Sequence, residues 1–186
     1  MTCILGLVDG KTVYVGGDSA GTSGDLSQRI IGDKKVFKRD TVVFGVCGSP
    51  KVMDALMHVL VVPKRSTGQD VGEYVRKDLV PALKTVLTET GCVSSNEQHP
   101  ELFEGAIMVG CHGKLFVVES NFQVITNAYG FDSVGSGSDI AIGAMHASMK
   151  ERNAKKRMLK ALEASSINNA GVRPPFTIVS TSRGLF

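Results

Sequence analysis

A threonine stands at position 2, directly after Met1. Threonine is small enough for ordinary removal of the methionine before it, and as a first residue it holds two reactive groups. Its hydroxyl is a nucleophile. Its freed α-amine, with a reference pKa of about 7.7–8.0 against roughly 10.4 for lysine, is partly neutral at pH 7 and can take the hydroxyl's proton. Such a residue suits acyl transfer from an amide, a reaction that needs a nucleophile, a base and donors for the oxyanion. Other nucleophile sets fit poorly. There is no G-x-S-x-G, and His58, His99, His112 and His146 lack a supporting context and are expected on the surface or on helix faces. Cys3, Cys47, Cys92 and Cys111 form no C-x-x-C pair and have no histidine at zinc-ligand spacing. No metal, disulfide framework or cofactor is expected.

The elements that would hold Thr2 begin with strands. Residues 3–8 and 12–17 are apolar runs around Asp9-Gly10, a strong hairpin signal. A polar loop is expected from 18 to 33, then a second hairpin from 35–37 and 41–46 around Lys38-Arg39-Asp40. Ser49-Pro50 reads as a helix start, with serine as cap and proline in the first turn, for a helix of residues 50–60. A longer helix begins near Asp70, with Val71, Val75, Leu79, Leu83 and Leu87 on one stripe. Pro81 should kink or break it, and Gly91 should end it. The second half repeats the order: a hairpin of 106–111 and 114–119, short strands at 123–126 and 131–134, helical periodicity at 138–149 and 154–165, and a last strand at 176–181. Helix pairs covering the outer faces of two stacked sheets satisfy this order, giving an α+β, four-layer αββα sandwich.

The totals set bounds on partners. A chain of 186 residues fits one domain, here taken as 1–186, since most domains span roughly 100 to 200 residues. Net charge is +3, too small to imply nucleic acid or a membrane surface. No apolar run approaches the roughly 20 residues of a membrane helix. The opening residues lack the basic start and long apolar core of a secretion signal, so a cytoplasmic location is expected. The basic stretch 150–160 is read as a solvated helix face.

Several motifs stand in a fixed order. Thr2-Cys3-Ile4 is followed by Gly16-Gly17-Asp18-Ser19-Ala20-Gly21-Thr22-Ser23-Gly24, then by Asp33-Lys34-Lys35-Val36-Phe37, Gly45-Val46-Cys47-Gly48-Ser49 and Gly135-Ser136-Gly137-Ser138. In that order they resemble the proteasome β subunits and the HslV-type peptidase, which are N-terminal-nucleophile (Ntn) hydrolases. The resemblance implies that Thr2 attacks the carbonyl and that Asp18 pairs with a lysine beside it. Motif alignment makes that lysine Lys35; an ungapped count makes it Lys34. Gly48 would supply the oxyanion N–H, and Ser136 would bond near the terminal amine. Gly21 and Thr22 would hold a substrate backbone as an added strand, and Val46 and Pro50 would form a modest apolar specificity pocket.

The family usually has an aspartate before its final strands. Here that stretch carries Asn168, which can hydrogen-bond but holds no charge. The resemblance further implies a threonine-type peptidase acting on peptides or unfolded protein, a homo-oligomeric ring and an ATP-dependent unfoldase partner. An inactive ring or scaffold subunit, or a small-molecule amidase on the same fold, are the alternatives.

Overall fold

The computed structural model describes residues 1–23, 27–96 and 99–182. Gly24 of the resemblance lies outside the described residues. The first strands are β1 (Ile4–Asp9), β2 (Thr12–Gly17), β3 (Ala20–Thr22), β4 (Gln28–Ile30), β5 (Val36–Arg39) and β6 (Val42–Gly48). Helix α1 (Pro50–Asp54) runs on into a π-helical turn, Ala55–Val59. Helix α2 (Val71–Tyr74), a π turn (Val75–Leu79) and α3 (Val80–Glu89) form one continuous rod. Strands β7 (Val93–Asn96), β8 (His99–Phe103), β9 (Gly105–Cys111), β10 (Lys114–Val118), β11 (Val124–Ile125) and β12 (Phe131–Val134) follow. Helices α4 (Ser138–Ala147) and α5 (Ala154–Asn168) precede β13 (Thr177–Ser180).

Two antiparallel sheets stack at the centre. One has the order β12-β1-β2-β13, the other β11-β10-β9-β6-β5. Successive side chains of a strand point to opposite faces, so a strand buried on both sides must be apolar throughout. In β1, Ile4 enters the layer between the sheets with Val15, Val43, Met108 and Leu115. Its neighbours Leu5 and Leu7 point the other way, against Met145, Met158 and Leu162 of α4 and α5. On the far side, Phe44, Val109 and Phe116 meet Leu56, Leu79 and Leu83 of the first helices. The result is an αββα sandwich with three apolar layers.

Several local expectations change. The stretch 18–33 is not all loop, because β3 and β4 pair within it, Ala20 opposite Ile30. A further hairpin, β7 with β8, precedes β9. Pro81 does not break its helix. The rod runs on through the proline, and the π turn, a local break in the usual helical hydrogen-bond ladder, ends just before it. Ser49 starts α1 through its carbonyl, which accepts from Val52 N at 3.1 Å, and its hydroxyl makes no cap bond. Arg157 leaves the solvated face. It donates to Met145 O at 2.8 Å and lies 5.0 Å over the Phe131 ring. Among the described residues no helix is long and apolar enough to cross a membrane.

The sheets approach closely at Gly45, where a Cβ would stand 2.4 Å from Ile4 Cγ2 and 2.8 Å from Val15 Cγ1. Gly45→Ala should therefore lower stability by about 1–3 kcal/mol, the usual cost of overpacking. A urea titration reads this as an earlier midpoint with an unchanged slope; a midpoint equal to wild type would contradict the close packing.

Candidate active site

Thr2 precedes β1 and is held from three directions. Its main-chain N–H donates to Ser136 Oγ at 3.2 Å, and its carbonyl accepts from Gly137 N at 3.1 Å. The loop carrying Ser136 can come this close because Gly135 has φ +98°, and a Cβ there would lie 2.4 Å from Thr2 O. On the third side Lys35 Nζ donates to Thr2 Oγ1 at 2.9 Å.

The same ammonium lies 2.9 Å from Asp18 Oδ1. This is a buried ion pair: Lys35 is 7% exposed, Asp18 2% and Thr2 7%. Asp18 follows the last residue of β2, and its oxygens are nearly saturated. Oδ1 also accepts from Cys3 N at 3.0 Å, and Oδ2 accepts from Ala20 N at 2.8 Å and Arg173 N at 3.3 Å. Lys35 stands just before β5, and its carbonyl accepts from Val46 N at 2.9 Å. The side chain reaches from one sheet toward the other past Gly17, where a Cβ would lie 2.9 Å from Ile4 Cδ1 and 3.6 Å from Lys35 Cβ. Lys34 is exposed. The ammonium beside Thr2 and Asp18 thus belongs to Lys35, and the ungapped count is set aside.

Gly48 ends β6, two residues beyond the one bonded to Lys35 O, and is exposed. It lies opposite Gly105 with φ +103°, and a Cβ would meet Glu104 O at 2.5 Å. Gly21 and Thr22 are half-buried in β3, paired to Arg29 and Gln28 of β4. The Thr22 Oγ1 is buried without a hydrogen-bond partner among the described residues. Val46 and Pro50 are not brought to one pocket wall. Val46 is packed in the core under the first helices, while Pro50 is exposed in the first turn of α1.

Asn168 does not face the site. It ends α5, is exposed, and donates to Ala164 O at 3.0 Å, back along its own helix. Its neighbour Asn169 reaches in, donating from Nδ2 to Ser136 O at 2.7 Å while its Oδ1 accepts from Gly171 N at 2.9 Å. The sequence pattern missed Asn169 because helix ends carry an uncertainty of one or two residues.

Cys3 is adjacent to Thr2, but its thiol is not set up to act as a nucleophile. Its thiol is fully buried between Ser133 Oγ and Ser165 Oγ, each 3.7 Å away, and burial pushes its pKa up, away from the reactive thiolate. Burial raises Cys47 likewise, and Cys111 to about 12. Two of the histidines pack elsewhere: His146 lies edge-on against Tyr129 and Phe131, and His112 against Tyr74. Among the described residues no three His, Cys, Asp or Glu side chains gather as ligands for a metal ion.

The architecture has solved counterparts. Over 96% of this chain and 97% of theirs, it superposes on Thiobacillus denitrificans BPH, in a complex with epoxomicin, with a TM-score of 0.78 at 14% identity. The eukaryotic HslV of Trypanosoma brucei gives 0.68 at 22% identity over 96% of this chain and 98% of that one. The fold is of the HslV type. A Gly-1 mutant of Anbu from Hyphomicrobium sp. strain MC1 shares it, with a TM-score of 0.65 at 14% identity over 96% of this chain and 80% of that one. No protein-family model matches the sequence, and no curated protein does. At these identities the HslV-type fold is carried by the apolar layering of the sheets.

Removing one member of a buried ion pair leaves the other charge unpaired, at about 3–5 kcal/mol. Asp18→Asn and Lys35→Met should each destabilise the chain by a large part of that, and the double variant by less than the sum of the two. Denaturant unfolding of the four proteins measures the coupling; strict additivity would mean that the two side chains do not interact.

Proposed function

We propose that this chain is an N-terminal threonine peptidase that acts once Met1 has been removed. The observation that carries this reading is the position of Lys35 Nζ, 2.9 Å from both Thr2 Oγ1 and Asp18 Oδ1 in a buried setting. With Met1 gone, the Thr2 nitrogen becomes an amine beside its own hydroxyl. Oγ1 attacks the substrate carbonyl carbon and its proton passes to the amine. The tetrahedral oxyanion takes a hydrogen bond from Gly48 N–H, a contribution typically worth about 2.7–4 kcal/mol of barrier. The amine then returns the proton to the leaving nitrogen as the C–N bond breaks, leaving an ester on Thr2. Water, deprotonated by the same amine, hydrolyses that ester and frees the hydroxyl.

Lys35 acts electrostatically in this scheme. Its ammonium disfavours a second positive charge nearby, so the amine stays free to serve as base, while Asp18 holds the ammonium in place. Ser136, already 3.2 Å from the Thr2 nitrogen, keeps the amine oriented. Gly21 and Thr22 offer a short strand for an extended peptide to pair with, the unpartnered Thr22 hydroxyl lying on it. The substrate class is peptide or unfolded protein. Partition into a homo-oligomeric ring, supply by an ATP-dependent unfoldase, a single catalytic domain and a cytoplasmic location complete the proposal, supported by the HslV-type fold.

Intact mass should show the chain without Met1. Thr2→Ala should abolish cleavage of small peptide amides, and Thr2→Ser should keep part of it. Epoxomicin, the ligand seen with BPH, should add its mass to wild type and not to Thr2→Ala. In wild type, kcat/KM should rise with pH along an acid limb centred below the roughly 7.7–8.0 of an unperturbed α-amine, because the amine must be neutral to act. Turnover that survives Thr2→Ala would end the reading.

Asn169 offers a separate check. Its amide donates to one group and accepts from another, whereas an ionised carboxylate can only accept. Asn169→Asp would set an acceptor against Ser136 O and should reduce turnover, although it restores the residue type usual in the resembling family. An increase in kcat would show that charge, and not the donor, is what the position lacks.

A further inference from the structure

Arg173 lies in the segment between α5 and β13 and joins both halves of the site. Its main chain belongs to the shell of Asp18: the N–H donates to Asp18 Oδ2 at 3.3 Å, and the carbonyl accepts from Ser19 N at 2.9 Å. Its side chain does something else. Nη1 donates to Ser166 O at 3.0 Å, Asn169 O at 3.3 Å and Val172 O at 2.9 Å. Two of these carbonyls close the end of α5, where a cation is favoured by the helix dipole and by carbonyls that lack helical partners. Among the described residues no carboxylate forms an ion pair with this guanidinium. Its charge is directed wholly at main-chain oxygens.

The turn it clamps carries Asn169, whose amide grips Ser136 O at 2.7 Å. Ser136 Oγ in turn meets the Thr2 nitrogen. One residue therefore contacts the carboxylate that holds Lys35 through its backbone, and the turn that holds Ser136 through its side chain. We propose that Arg173 is a positioning residue that keeps the arm of Asp18 and Lys35 in register with the arm of Asn169 and Ser136 across Thr2. The inference rests on the threonine-peptidase reading and extends it to a residue that touches neither substrate nor the reacting atoms.

Without the guanidinium, three carbonyls lose a shared donor, and the turn of residues 169–173 is held only by its main-chain bonds and the Asn169 side chain. A displacement near 1 Å at a reacting centre can cost about 100-fold in rate, so Arg173→Ala should lower kcat by about 10- to 100-fold. KM should stay within about twofold, because no ground-state contact to substrate is lost. With Lys35 and Ser136 less tightly held beside the Thr2 amine, the acid limb of the pH profile should move up toward that of a free α-amine. Arg173→Lys should fall between the two, and guanidinium ion added to Arg173→Ala should restore part of kcat. A residue that only caps the helix would lower Tm and leave kcat and the acid limb unchanged, and that result would overturn the proposal. Should Arg173→Ala fail to fold, Arg173→Lys with wild-type kcat and acid limb would overturn it equally. A wild type without Thr2-dependent turnover removes the peptidase reading and this inference together; an active wild type matched by Arg173→Ala removes this inference alone.

Discussion

The side chain of Asp18 has no exposure to solvent, and its partner Lys35 almost none. Taking two such charges out of water costs several kcal/mol each, and their mutual attraction offsets this only when the remaining lone pairs and protons are also satisfied. Here the carboxylate collects donors from four segments: Cys3 at the head of β1, Ala20 in β3, Arg173 before β13 and Lys35 before β5. None of these segments can move alone without leaving a buried polar group short of a partner. Elements far apart in sequence are thus tied at one point, and Thr2 lies beside it because it adjoins Cys3.

Rigid elements ending at a common place make a better-defined site than loops do. β1, β2 and β5 all present an end or a beginning here, and Cys3, the residue after Thr2, is buried completely. The hydroxyl faces an ammonium, the nitrogen faces a serine and the carbonyl faces the Gly137 N–H, so few rotations of Thr2 remain open. Close approach of the parts depends on missing side chains as much as on present ones. Gly17 leaves room for Ile4 and Val36, which a Cβ would meet at 2.9 and 3.0 Å, and Gly135 lets the serine loop rest against the Thr2 carbonyl.

The layering was legible in the sequence because both faces of the central strands are covered. Val42, Val43 and Phe44 in succession, set off by the polar turn Lys38-Arg39-Asp40, suit a strand buried on two sides, and all three are buried. The grouping of Thr2, Asp18 and Lys35 was legible through motif order, whereas counting alone left Lys34 open; only the fold shows which lysine is inside. Short polar strands gave no such signal. In β4 all three residues are exposed, so no alternation of apolar residues marks it. Asn169 was displaced by one position because α5 keeps its helical bonds through Asn168, and a single residue decides which asparagine points back along the helix and which toward Ser136. Arg157 was hidden for another reason: basic residues surround it in sequence, and only packing against Phe131 sets it apart.

Under the proposed chemistry, Thr2 is held off by its own predecessor while Met1 is attached. The hydroxyl donates to Met1 O at 2.6 Å, and Lys35 Nζ also stands 3.5 Å from that oxygen. The Thr2 nitrogen is an amide in this state; its proton goes to Ser136 and its lone pair is delocalised into the peptide bond. In that scheme the proposed nucleophile and its orienting residues are already assembled while the proposed base does not yet exist. Removing Met1 takes away the acceptor that binds the hydroxyl proton and in the same step creates an amine to receive it. Lys35 gives up its 3.5 Å contact to Met1 O but keeps Asp18, Asp18 keeps its main-chain donors, and Ser136 keeps the bond from Asn169. Under the proposed chemistry, activation is then a change of one bond in a site whose electrostatics were completed by folding.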